Sequence, residues 1–79
     1  MAFYIIILKE IESADRVTYR FGSHEDQLGL LNINKNDGKV EELEPAPTEN
    51  HSALFYRAAA KIHQHWREGS YPQKSSWAS

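Results

Sequence analysis

A Pro-Ala-Pro segment at residues 45–47 divides this chain into two parts with different hydrophobic patterns. Before it, apolar residues form a short run or alternate with polar residues, which is typical of β-strands. After it, apolar residues recur every three or four positions, which is typical of an amphipathic helix. Proline ends a strand because it lacks a backbone N–H donor. The segment therefore predicts a sheet followed by a helix.

The first part predicts four strands within residues 2–44. They are residues 3–11, 16–21, 28–34 and 39–44. The first strand is almost continuously apolar, which indicates a central strand or one covered on both faces. The second alternates, with Val17, Tyr19 and Phe21 on one face, and is therefore expected to be half-buried.

The last two predicted strands are joined by a tight-turn signal, Asn36-Asp37-Gly38, since these residue types tolerate a positive φ. In the fourth strand Val40 and Leu43 are three residues apart, so in a regular strand they would face opposite sides of the sheet. We therefore expect a bulge in a short edge strand.

The second part predicts a helix over about residues 50–68. Its apolar stripe consists of Phe55, Ala59, Ile62 and Trp66, and Leu54 and Ala58 widen it. Thr48 or Asn50 can cap its start, and Gly69 can end it in a left-handed conformation. The fold class is thus α+β: residues 1–79 form one domain, a four-stranded antiparallel meander with a C-terminal helix on one face and an extended tail at residues 70–79.

One helix covers only one face of a sheet, whereas the first strand carries apolar residues on both of its faces. Either the tail folds back with Tyr71 and Trp77 over the second face, or a partner covers it. We favour the tail, because Trp77 would otherwise be exposed near the end of the chain.

The charges are sorted along the chain. Residues 1–50 carry ten acidic and five basic residues, whereas residues 51–79 carry one acid and four basic residues. The sheet topology collects most of the acid near one end and one edge, in a group that we name the acidic set: Glu25, Asp26, Glu41, Glu42, Glu44 and Glu49. It favours a basic protein partner, which long-range attraction would draw in. Protection of an edge strand and support of the helix N-terminus are the alternative explanations.

Other chemistry has less support. The chain has no cysteine, which excludes a disulfide, a thiolate nucleophile and a cysteine-based zinc site. His24 and His51 can approach acids of the same end, but we interpret this as a solvated acidic end and expect no metal and no cofactor. The serines lie in no nucleophile motif, and we expect no enzyme. Residues 32–38 resemble a calcium loop, but the glycine comes one position late.

Partners other than a basic protein are weaker candidates. The basic helix face with Arg57, Lys61, Arg67 and Lys74 could touch nucleic acid, but few cations are involved and the pI is near 6.0. The apolar run at residues 3–8 is too short to span a bilayer and lacks the flanks of a signal peptide. We therefore expect a cytoplasmic protein without a membrane partner, and a homodimer stays open as an alternative.

Several segments together resemble the immunity proteins of bacterial toxin systems, including contact-dependent growth inhibition systems. They are Tyr19-Arg20-Phe21-Gly22, the hairpin at residues 29–38, Arg57-Ala58-Ala59, Trp66-Arg67-Glu68-Gly69 and Trp77-Ala78-Ser79. The resemblance implies a small protein that neutralises a toxin, often a basic nuclease, by occluding its functional surface with acidic residues. A homodimeric scaffold or regulatory protein and a small nucleic-acid-binding protein remain as alternatives.

Overall fold

The computed structural model describes residues 4–78, which form a five-stranded antiparallel sheet and one helix. The elements are β1 (Tyr4–Glu12), β2 (Arg16–Gly22), β3 (Gly29–Asn34), β4 (Val40–Glu44), α1 (His51–Glu68) and β5 (Lys74–Ala78). The strand order is β4-β3-β2-β1-β5. The predicted α+β class and antiparallel sheet are confirmed, but the sheet has five strands and not four.

The additional strand comes from the tail. β5 pairs with β1 from Tyr4 opposite Ala78 to Leu8 opposite Lys74, with no shift of register. Without β5, this side of β1 would leave its backbone N–H and C=O groups without partners in the sheet. The tail therefore extends the sheet sideways.

The core lies between α1 and one face of the sheet. Its strand residues are Ile5, Ile7, Val17, Tyr19, Phe21, Leu31 and Ile33, all fully buried. The helix contributes Leu54, Ala58 and Ile62, also fully buried. Of the predicted stripe, Ile62 lies at the centre, while Phe55 and Trp66 pack against the flanks of the core. The three buried helix residues Leu54, Ala58 and Ile62 follow an i, i+4, i+8 line along one side of α1.

Two glycines take the positive φ that the sequence predicts for them. Gly38 has φ 75° in the β3–β4 turn, and Gly69 has φ 74° at the end of α1. Gly38 also lies under the ring of Trp66, where an added Cβ would come within 2.7 Å of a ring carbon. The indole Nε1 of Trp66 donates to the carbonyl of Lys35 at 2.8 Å. The helix end is thereby fixed to the turn. Asn50 occupies the N-cap position but makes no side-chain capping bond.

The tail does not cover the second face of the sheet, contrary to the expectation from the sequence. Trp77 lies opposite the buried Ile5, and the guanidinium of Arg57 in α1 lies 5.3 Å from the centre of its ring. The side chain of Trp77 is therefore on the helix side. The other side, which we name the open face, carries Tyr4 and Ile6, and Tyr4 is 54% exposed. Among residues 4–78, no helix or strand packs over the open face.

Candidate protein-binding surface

The eleven acidic side chains divide into those with partners inside the molecule and those without. Five have partners: Glu10, Glu12, Asp15, Asp37 and Glu68. The strongest case is Glu12, which accepts hydrogen bonds from Lys35, at 2.8 Å, and from Lys9. These two ammonium groups lower the pKa of Glu12 to about 2.

The remaining six acids are the acidic set. All six are exposed, and within residues 4–78 none forms an ion pair or a side-chain hydrogen bond. Carboxylates without such contacts are available to a partner, although Glu44 adds to the effect of Glu10 in raising the pKa of the nearby Arg20 guanidinium. The same six residues were singled out from the sequence by their position in the predicted meander.

Three members of the acidic set lie on β4, the edge strand. Glu41 lies opposite Asn32 and Glu44 opposite Leu30, so both are on the open face. Glu42 lies opposite the buried Leu31, so it points to the helix side of the edge. The three carboxylates therefore surround this edge of the sheet on both sides.

The predicted irregularity of β4 is present, and it exposes an apolar side chain. The register shifts between the Leu30–Glu44 pair and the Leu31–Glu42 pair, which leaves Leu43 as an extra residue. Leu43 is 46% exposed and stands between two glutamates. Its opposite parity to Val40 was the sequence signal for the bulge, but the sequence analysis did not count Leu43 as a binding residue.

Asp26 and Glu49 lie at the adjoining end of the sheet. Gln27, which follows Asp26, lines the same surface depression as residues 46–51. Close contact continues at the start of β3, where an added Cβ on Gly29 would meet the backbone of Ala46 at 2.6 Å. The predicted approach of the β2–β3 loop to the proline segment is therefore observed.

Glu25 is separated from the other members. It lines a groove on the open face together with Tyr4, Ile6 and Lys74, which belong to β1 and β5. β1 is three strands away from β4, a distance of roughly 14 Å at the usual strand spacing. The structure thus places Glu41, Glu42 and Glu44 together, Asp26 and Glu49 beside them at one end, and Glu25 nearer the opposite edge.

The basic helix face is partly engaged inside the molecule. Arg57 lies over the Trp77 ring and donates to the carbonyl of Ala53 at 3.3 Å. His63 and Arg67 line a shallow polar depression with Glu68. Because one of its cations is held by an indole and an acid lies among the others, this face does not form a continuous basic surface.

A contact that the sequence did not suggest joins α1 to β5. The Nε2 atom of His65 lies 2.8 Å from the hydroxyl oxygen of Ser75, and its Nδ1 atom lies 3.8 Å from a carboxylate oxygen of Glu68. Burial, assisted by the charge of Lys61, lowers the pKa of His65. The lowered pKa favours the neutral ring, whose tautomer decides which of Nε2 and the Ser75 hydroxyl donates the hydrogen bond. Only the folded chain brings His65 and Ser75 together, since they belong to different elements.

Residues 4–78 contain neither a cluster of metal ligands nor a helix suited to a bilayer. Within residues 4–78, no three histidine, aspartate or glutamate side chains come together as metal ligands, and this includes the acidic end with His24 and His51. In the same range, no helix combines the length and hydrophobicity that a bilayer span requires.

Comparison of the chain with protein-family models, with curated proteins and with solved structures finds no match.

Proposed function

We propose that this protein is a non-catalytic binding domain that docks a basic partner protein on the β4 edge, and that it acts as an immunity protein against a bacterial toxin. The observation that carries the proposal is the division of the acidic residues. Five are neutralised or held within the fold, while the acidic set is exposed and, within residues 4–78, forms no ion pair and no side-chain hydrogen bond. A partner with a basic surface would supply the missing counter-charges.

Protection of the edge strand alone does not account for this surface. Glutamates on an edge strand do prevent pairing with other sheets, and a bulge has the same effect. An exposed leucine does not serve that purpose, because it adds apolar surface to an edge that the charges keep in water. Leu43 beside Glu42 and Glu44 instead resembles the usual composition of a binding site, in which an apolar contact is surrounded by charged groups.

A nuclease is the leading candidate for the toxin. Its substrate-binding surface must be basic, because it binds phosphate groups. The glutamate carboxylates on both sides of the β4 edge carry the same sign of charge as phosphate groups and would compete for the same cations. Occupation of that surface would prevent substrate binding without any chemical step by the inhibitor. The attraction also raises the association rate, which matters for a protein that must neutralise a toxin quickly.

The proposal is tested with the protein encoded immediately upstream of this chain's gene. Its toxic domain is purified, its nuclease activity is measured on DNA and RNA, and the chain is added in increasing amounts. We expect inhibition to be complete near equimolar amounts, with a competitive dependence on nucleic-acid concentration. Binding that leaves activity unchanged would contradict the occlusion mechanism, and absence of binding would contradict the proposed function.

A further inference from the structure

The outer side of β5 has backbone groups available for another strand. The N–H of Lys9 donates to the carbonyl of Gln73 at 2.9 Å, so residue 73 points its backbone groups toward β1. In an antiparallel pair this direction alternates along the strand. Ser75 and Trp77 therefore point toward β1, while the N–H and C=O groups of Lys74, Ser76 and Ala78 point away from the sheet.

β5 lacks the features that normally prevent edge pairing. It contains no proline, no acidic residue and no bulge, and its register with β1 is regular over its whole length. Its single charge is Lys74 at one end. β4, at the opposite edge, has a bulge and three glutamates. One edge of this sheet is protected and the other is not.

We propose that β5 pairs with β5 of a second copy of this chain, antiparallel, about a two-fold axis at Ser76. In this register Ser76 lies opposite its own copy, and Lys74 lies opposite Ala78 of the second copy. All the outward N–H and C=O groups of Lys74, Ser76 and Ala78 then find partners, which gives six hydrogen bonds. The contact is isologous and closed, and the two sheets join into one of ten strands.

The charges of the two edges favour a second copy at β5 over one at β4. Around Ser76, each Lys74 faces an alanine, so no like charges are directly opposite. The equivalent arrangement about Glu42 on β4 would place glutamate against glutamate, which is destabilising. On the helix side, the β5 register brings Trp77 of one copy opposite Ser75 of the other. The partly buried indole thus gains a neighbour along its outer edge.

The test uses substitutions on the outward-pointing residue. Ser76→Pro removes an N–H that points away from β1, so the internal sheet keeps its hydrogen bonds while the proposed pairing loses two of its bonds and meets the proline ring. We expect the wild-type chain to sediment as a dimer at micromolar concentration and Ser76→Pro to sediment as a monomer with an unchanged circular dichroism spectrum. A wild-type monomer throughout the micromolar range overturns the proposal. A Ser76→Pro variant that remains dimeric also overturns it, because the contact would then lie elsewhere.

Cysteine cross-linking gives a second measurement that does not depend on the proline variant folding. The chain has no cysteine, so Ser76→Cys introduces one thiol on the two-fold axis. Opposed residues in such a pair lie about 5.5 Å apart between Cα atoms, within disulfide range. We expect Ser76→Cys to form a covalent dimer under mild oxidation at least tenfold faster than Glu42→Cys, the matched variant on β4. Equal rates would overturn the pairing. Both outcomes are independent of toxin binding, since β4 and β5 lie at opposite edges.

Discussion

The two edge strands of this sheet, β4 and β5, each have a row of backbone N–H and C=O groups on their outer side. They differ in the features that prevent another strand from pairing there. β4 is bulged, carries Glu41, Glu42 and Glu44, and has only one partner strand, β3. β5 is regular and nearly uncharged, and α1 holds it through the His65–Ser75 and Arg57–Trp77 contacts. β5 is held in place by these contacts with α1, whereas no glutamate of β4 forms an ion pair or a side-chain hydrogen bond within residues 4–78. The acid on β4 is therefore free to serve binding.

The largest expected effect concerns the core that both edges share. Ile62→Ala removes a fully buried side chain from the centre of the helix contact and should lower the free energy of unfolding by about 2–5 kcal/mol. Urea denaturation followed by circular dichroism measures this. The matched control is Tyr56→Ala on the exposed side of α1, where the side chain is 71% exposed and the expected change is within about 0.5 kcal/mol. Equal costs would mean that the helix face is misassigned.

The next largest effect is a difference in stability cost between substitutions on β5 and on β4. Trp77→Ala removes a partly buried indole that packs on the core and under Arg57, and should cost roughly 2 kcal/mol of stability. Leu43→Ala on β4 should cost less than about 0.5 kcal/mol, because Leu43 is largely exposed. The same denaturation experiment measures both variants. If Leu43→Ala proves as damaging as Trp77→Ala, β4 has a structural role and our comparison fails.

A smaller expected effect is the pH dependence of stability that arises from His65, the α1 residue in contact with Ser75 of β5. The folded chain lowers the pKa of His65 below its ordinary value of 6.5, mainly by burial, so the unfolded chain takes up the proton first. This contribution to stability is fully present above pH 6.5 and is lost as the pH falls from there through the folded pKa. We expect the thermal midpoint to fall over that window, and to fall less in His65→Gln. An identical fall in both proteins would assign the effect to other groups. The separate loss from Glu12 begins only below about pH 4.5, where its carboxylate starts to be protonated in the unfolded chain.

The first four strands, the helix and the two glycine conformations could be predicted because each has a local cause. Alternation reveals β2, the proline segment marks the end of the sheet, and Gly38 and Gly69 take conformations that other residues adopt at a cost. The bulge in β4 was also predictable, since Val40 and Leu43 could not face the same side of a regular strand.

β5 could not be predicted in this way. Its sequence, Lys-Ser-Ser-Trp-Ala, has no apolar alternation and low strand propensity, and it becomes a strand because the side of β1 that faces it needs a partner. For a related reason, the sequence did not show which side of the predicted helix stripe is most deeply buried. Several apolar residues of α1 can define a stripe, and only the shape of the sheet selects Leu54, Ala58 and Ile62.

The sequence predicted which acidic residues are exposed in the candidate site better than it predicted where they lie relative to one another. Exposure of the acidic set follows from charge alone. Pairing of Glu12 with Lys9 and Lys35 depends on the folded geometry, because Lys35 is distant in sequence. The position of Glu25 near the β1–β5 side depends on the path of a loop, for which the sequence carries no periodic signal.

The most direct test of the proposed function is the affinity of the proposed toxin partner for two charge-reversed proteins at two salt concentrations, measured by interferometry. In the first, Glu42, Glu44 and Glu49 are replaced by lysine. In the second, Lys61 and Arg67 on α1 are replaced by glutamate. The account predicts at least a tenfold loss of affinity and a flatter salt dependence for the first protein, and little change for the second. Loss of binding in the second protein with none in the first would contradict it, and an acidic partner or a nucleic acid would then fit this molecule better.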